Sequence, residues 1–253
     1  MNFFEFNLRF RLTNHPPLGF GLRNPARLRS GGFFYSIRPD AMNRVVFIVD
    51  GFNLYHSLKR AHPAQEKAKT RWLDLYRLCS SKLHLIGRDA VLQHIYYISA
   101  YAEHLECSKP NITKRHKNYV QCLESTGVTA LMNKFKRKDV FCKICGKTFD
   151  KYEEKQTDVM IATTLFEQLH TDSCDTIVLV TGDSDLIPAV KTGKKLFPQK
   201  KIVFAFPSSM TSKELKSLVS GSFTLNPNEY LKYQFPDPVV LSDGTLLQKP
   251  VKW

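Results

Sequence analysis

The chain has 253 residues, 43% of them hydrophobic, enough for one substantial core plus extensions, which excludes a wholly disordered chain. A formal net charge of +14 at pH 7 creates a positive field that draws polyanions, so nucleic acid leads the classes of partner. No run reaches the roughly 20 apolar residues of a membrane span, and the six irregularly spaced cysteines point away from a secreted disulfide framework, toward a reducing, cytoplasmic compartment.

Residues 1–43 stand apart as a basic extension predicted to be disordered. Arg9, Arg11, Arg23, Arg27, Arg29 and Arg38 occur there without a lysine, mixed with Gly, Pro and Phe. That composition fits a mitochondrial or plastid transit peptide, although Pro16, Pro17 and Pro25 would break an amphipathic helix. Translation that truly begins at Met42 is an equal alternative, and an RNA-binding arm is a third.

From Arg44 a βα alternation emerges. Strands are predicted over 45–50, 91–99, 128–132, 176–181 and 201–206, with a shorter one over 222–225. Helices are predicted over 72–83, 112–125, 158–170, 186–196 and 212–219. Apolar, β-branched strands between helices specify an α/β fold: a three-layer, Rossmann-like architecture with a mainly parallel central sheet. The domain is expected to span 44–226. Residues 227–253, punctuated by Pro236, Pro238 and Pro250, read as a C-terminal tail, either packed on the body or loose.

Such a sheet gathers ligands at the carboxyl ends of its strands. Asp50 closes the first strand, Asp183 and Asp185 follow the fourth, and Asp158 opens the helix between, with Glu154 just before it. Carboxylates that converge repel one another, and a divalent cation relieves that repulsion. Helix capping would explain any one of these acids alone, but less easily the pair at i and i+2. Gly51 permits close backbone approach, and Asn53 and Ser184 are polar groups suited to support the acids. His56 reads as a surface or half-buried histidine, with substrate contact as the alternative.

Three motifs in this order, VDGFNLYH (49–56), EEKQTDVMIA (153–162) and TGDSDLIPAV (181–190), resemble the NYN domain in its LabA-like branch, within the PIN-like nuclease superfamily. The resemblance covers most of the chain. It implies a PIN-like parallel sheet, a Mg²⁺ or Mn²⁺ site, and ribonuclease hydrolysis of RNA phosphodiester bonds. By motif match, Asp50, Asp158, Asp183 and Asp185 correspond to the catalytic, metal-binding acids, with Asn53, Ser184 and Glu154 supporting them. One departure stands out: many relatives carry a further Asp where Thr164 stands here, which leaves one metal or two open.

Two basic stretches are candidates for RNA binding: Lys114, Arg115 and Lys117, then Lys134, Lys136, Arg137 and Lys138. Their lysines would meet backbone phosphates, and the neighbouring Tyr119, Phe135 and Phe141 would stack unpaired bases, which favours single-stranded or looped RNA. A solvated face with the aromatics in the core is the alternative. Cys142 and Cys145 form a CxxC knuckle, half of a zinc ribbon. A structural zinc would need Cys107, Cys122, Cys174 or His116 to complete it, and a degenerate knuckle or hairpin turn is the competing reading.

Two other functions compete with the ribonuclease: a catalytically weak RNA-binding or regulatory protein, and a small-substrate phosphohydrolase. The latter would want DxD after the first strand, where residue 52 is Phe. A homo-oligomer is compatible with every reading.

Overall fold

The structure, a computed structural model, describes residues 42–61 and 70–251, so the expectation for residues 1–41 lies outside the described residues. Its centre is β1 (Asn43–Asp50), followed in the chain by β2 (Ala90–Tyr101), β3 (Thr129–Phe141), β4 (Thr148–Glu154), β5 (Thr176–Val180), β6 (Lys201–Phe206) and β7 (Gly221–Thr224). These strands form one sheet in the order β4-β3-β2-β1-β5-β6-β7. Every neighbouring pair is parallel except β3 with β4.

Alternation along β1 explains its central place. Val45, Phe47 and Val49 enter one hydrophobic core, while Val46 and Ile48 enter the other. A strand apolar on both faces is stable only between two layers of helices. The first core packs against α1 (Gly51–Arg60), α2 (Leu75–Ser80) and α3 (Ile112–Ser125). The second packs against α4 (Thr157–His170), α5 (Ile187–Leu196) and α6 (Lys213–Leu218). The expected three-layer, PIN-like α/β architecture with a mostly parallel sheet is thus present.

Two elements differ from the sequence reading. The helix expected over 72–83 is cut short because the Asp74 side chain accepts from Arg77 N at 3.0 Å and starts α2 at Leu75. Trp72 remains outside it, its carbonyl accepting from Phe235 N and its indole donating to Pro236 O. The strand expected to end at 132 continues to Phe141 and returns antiparallel as β4. Beyond Asn133 lysine, arginine and acids interrupt both faces of this hairpin, and its apolar residues are exposed or only half-buried, so no apolar period marks it.

After the sheet comes α7 (Pro227–Lys232), capped by a reciprocal Asn226–Glu229 box. Tyr230, Phe235, Val239 and Leu247 from this segment all join the first core. Among the described residues no helix is long and apolar enough to cross a membrane.

Candidate functional site

Strands β1 and β5 are parallel neighbours with Val49 level with Val180, so Asp50, the last residue of β1, and Thr181, the first after β5, emerge side by side. Asp50 is buried and receives four hydrogen bonds. Phe52 N and Asn53 N donate to Oδ1 at 3.0 and 2.9 Å, and Asn53 Nδ2 and Thr181 Oγ1 donate to Oδ2 at 2.8 and 3.0 Å. The carboxylate thereby caps α1 and bridges to the β5 turn. Burial nevertheless raises its pKa, as does the charge of Asp183, against the lowering by its donors.

The β5 turn is locked to β1 in return. Gly182 N donates to Asn53 Oδ1 at 3.1 Å, and Asp183 N to Thr181 Oγ1 at 3.1 Å. Only glycine fits at 182, because a Cβ there would stand 2.0 Å from the Met210 carbonyl oxygen. Asp183 accepts from Asp185 N at 3.0 Å and so caps the 3-10 turn Ser184–Leu186, leaving Asp185 and Ser184 exposed.

Two further acids couple electrostatically to these. Asp158 sits in the first turn of α4, its pKa raised by lost solvent and then by the charges of Asp183 and Asp185. Glu154 ends β4, and its carboxyl is pushed up to about 7, chiefly by burial and then by Asp50 and Asp158. The Thr157 hydroxyl donates to Glu154 and accepts from Asn133 Nδ2, which orients that carboxyl. The five acids therefore form one electrostatically linked group drawn from β1, β4, α4 and the β5 turn. Glu154 was legible only as a neighbour of Asp158, because the β3–β4 hairpin that delivers it left no apolar pattern.

All five groups offer hard oxygen donors, and the ionised forms of Asp50, Glu154 and Asp158 are disfavoured by burial and then by neighbouring carboxylates, the condition a divalent cation relieves, so the donor set fits Mg²⁺ or Mn²⁺. Among the described residues no group of three His, Cys, Asp or Glu side chains is arranged to hold an ion as it stands. Thr164 is buried within α4.

The candidate RNA-binding cations are spread more widely. Arg137 pairs with Asp150 at 2.8 Å and Asp139 at 3.4 Å, and Lys138 approaches Glu153 at 3.7 Å, so the hairpin partly neutralises its own charge. Lys134, Lys136 and Lys138 alternate with Phe135 along β3 and so point to its other face. On α3, Lys114 is exposed, Lys117 lies over the Tyr101 ring at 5.5 Å, and Arg115 donates to Pro110 O at 2.8 Å. Of the expected aromatics, Tyr119 is buried in the core, donating to Leu73 O, and Phe141 is exposed.

Cys142 and Cys145 occupy the hairpin tip, where Gly146, at φ +66°, closes the turn with its N–H to Cys142 O at 2.9 Å. The amides of Cys145 and Ile144 lower the Cys142 pKa by hydrogen bonding. Cys122 and Cys174 lie in the two separate cores, and His116 bonds Tyr97 Oη at 3.2 Å.

Alongside Asp50 runs a cleft of about 580 Å³ that includes Gly51, Phe52, His56, Arg71, His104 and Arg115 among its walls. Sequence gave no sign of it, since α1, α3 and β3 contribute from distant positions.

A mostly parallel three-layer sheet with acids at the carboxyl ends of its central strands is the arrangement of the PIN-like nuclease superfamily. The chain matches the NYN domain over residues 44–226 and belongs to that family, whose members are typically nucleases using divalent metal ions. No curated protein matches the chain. Among solved structures, a protein of unknown function from Vibrio parahaemolyticus is similar in fold, with a TM-score of 0.50 and 16% identity over 75% of this chain and 97% of that one.

Proposed function

We propose that the protein is a divalent-metal-dependent ribonuclease that hydrolyses RNA phosphodiester bonds at Asp50, Glu154, Asp158, Asp183 and Asp185. The observation that carries this reading is the convergence of five acids from four separate elements, with the carboxyls of Asp50, Glu154 and Asp158 raised first by burial and then by their neighbours' charge. A cation bound there would supply charge neutralisation at the scissile phosphate and a more acidic water. The chain's own residues do the positioning. Asp50 is fixed by its four donors, with Asn53 and Thr181 holding the β1 and β5 turns in register. Asp158 and Asp185 face solvent, where substrate would approach, and Ser184 lies beside them. Glu154, with a pKa near neutrality, is suited to hold or release a proton.

The second reading, an RNA-binding protein of low activity, draws on Thr164 in place of a further acid. Both are tested by incubating end-labelled single-stranded and structured RNAs with Mn²⁺, Mg²⁺ or EDTA, using wild type, Asp50→Asn and Asp183→Asn. Metal-dependent cutting abolished by both substitutions is the expected result. Binding without cutting in any metal would transfer the argument to the second reading, and cutting that survives both substitutions would refute the assigned site.

A further inference from the structure

The cleft beside Asp50 has the chemistry of a base-binding pocket. Phe52 follows Asp50 by two residues and packs on Phe135 with ring centroids 5.6 Å apart. Phe135 meets His104 at 4.4 Å, and His104 stacks on Tyr152 at 4.5 Å with an interplanar angle of 11°. The first two rings of this chain lie next to the carboxylate cluster in the fold, Phe52 two residues after Asp50 and Phe135 directly opposite Glu154 in the β3–β4 ladder. Lys59, Arg71, Lys109 and Arg115 add positive charge to the same walls.

Two buried polar atoms in these walls, Arg71 Nε and His104 Nδ1, have no hydrogen-bond partner among the described residues. A buried donor left unpaired costs about 1–3 kcal/mol, so a ligand bearing acceptors at its edge would be favoured here. Burial also lowers the His104 pKa, which favours the neutral form of its ring. At about 580 Å³ the cleft has the size of a small-ligand pocket and does not accommodate a base pair with its backbones. Planar rings, cations and unpaired polar atoms together match a nucleotide more closely than a purely apolar or purely anionic ligand.

We propose that this cleft takes one unpaired base of a single-stranded RNA, with the adjoining phosphate lying against the carboxylate cluster. The placement of that phosphate rests on the ribonuclease reading, while base capture does not. Stacking of this kind is sequence-tolerant, because every base offers a π-face. It would make the protein select single strands by what the pocket can admit, independent of the basic rows on β3.

The test uses the full chain in EDTA, so that binding is read without cutting. Fluorescence anisotropy compares a labelled single-stranded RNA, the same strand with abasic positions, its duplex, and a nucleoside monophosphate. The intact single strand should bind about tenfold or more tightly than the abasic strand or the duplex. Phe135→Leu, which keeps apolar volume but removes the ring, should erase that advantage and leave abasic binding unchanged. Equal affinity for intact and abasic strands would overturn the proposal, as would a monophosphate that binds as tightly as the strand. The wild-type comparison needs no variant, so a misfolded mutant cannot obscure the result. Base-dependent binding with no cleavage in Mn²⁺ would sink the ribonuclease reading and keep this one; metal-dependent cutting with base-independent binding would do the reverse.

Discussion

Glu154 illustrates how a single side chain can reveal a site that its neighbours in sequence conceal. Its carboxyl is pushed up to about 7 from its usual 4.5, first because burial removes water and then because Asp50 and Asp158 are charged nearby. A folded-state pKa raised above the unfolded one means that ionisation costs more in the folded chain. The penalty is absent below the unfolded value, grows as pH rises between the two values, and is complete above the folded one. In EDTA, Glu154→Gln should therefore melt above the wild type, by a larger margin at about pH 8 than at about pH 5. Thermal unfolding at the two pH values checks this, and an equal margin at both would show that Glu154 is not strained by the cluster. Asp50 and Asp158 are displaced in the same direction, so the wild-type slope should remain in part after this substitution.

At the scale of elements, legibility followed burial. Strands β1 and β5 could be read directly, since both faces of each are buried and residues 45–49 and 177–180 are apolar without interruption. The acids that end or follow them were legible for the same reason: a carboxylate after a fully apolar strand has few structural explanations. The outer half of β3 and all of β4 were hidden, because a projecting hairpin alternates lysine, arginine and acids with no apolar stripe. Lost with the hairpin were the placement of Glu154 and the ring chain through Phe135 and Tyr152, which depends on pairing between positions far apart in sequence. The hairpin tip carries its own consequence. Hydrogen bonds from the Ile144 and Cys145 amides favour the Cys142 thiolate, whereas burial pushes Cys122 up to about 12 and Cys174 up to about 11. Limiting iodoacetamide near neutral pH should alkylate Cys142 first and spare Cys79, Cys122 and Cys174, as read by peptide mass spectrometry. Prior loading with zinc that protects Cys142 and Cys145 would support the metal reading of the knuckle; no protection would favour a simple turn.

Across the whole molecule, the NYN match ends at residue 226, but the first hydrophobic core does not. Tyr230 is fully buried, and its hydroxyl bonds Ser57 Oγ and accepts from Ser208 N, each at 3.0 Å. Ser57 Oγ also donates to Ser208 O at 2.9 Å, so α7 is tied at once to α1 and to the turn after β6. Phe235 packs on Trp72 with ring centroids 6.0 Å apart, covering the segment that leads into α2. Since α1 is capped by Asp50, loosening this closure should reach the candidate site through the helix that presents Asn53. Tyr230→Phe removes the acceptor of a buried amide and should cost about 1–3 kcal/mol, seen as a lower melting temperature. Deleting residues after 226 removes four core side chains, each contributing about 1.5–3 kcal/mol on burial, a total comparable with the entire stability of an ordinary domain. The shortened chain should therefore lose cooperative unfolding and metal-dependent cutting together. A truncated protein that melts with the wild type's midpoint and sharpness would show that the segment merely rests on the domain and leaves α1 in place without it.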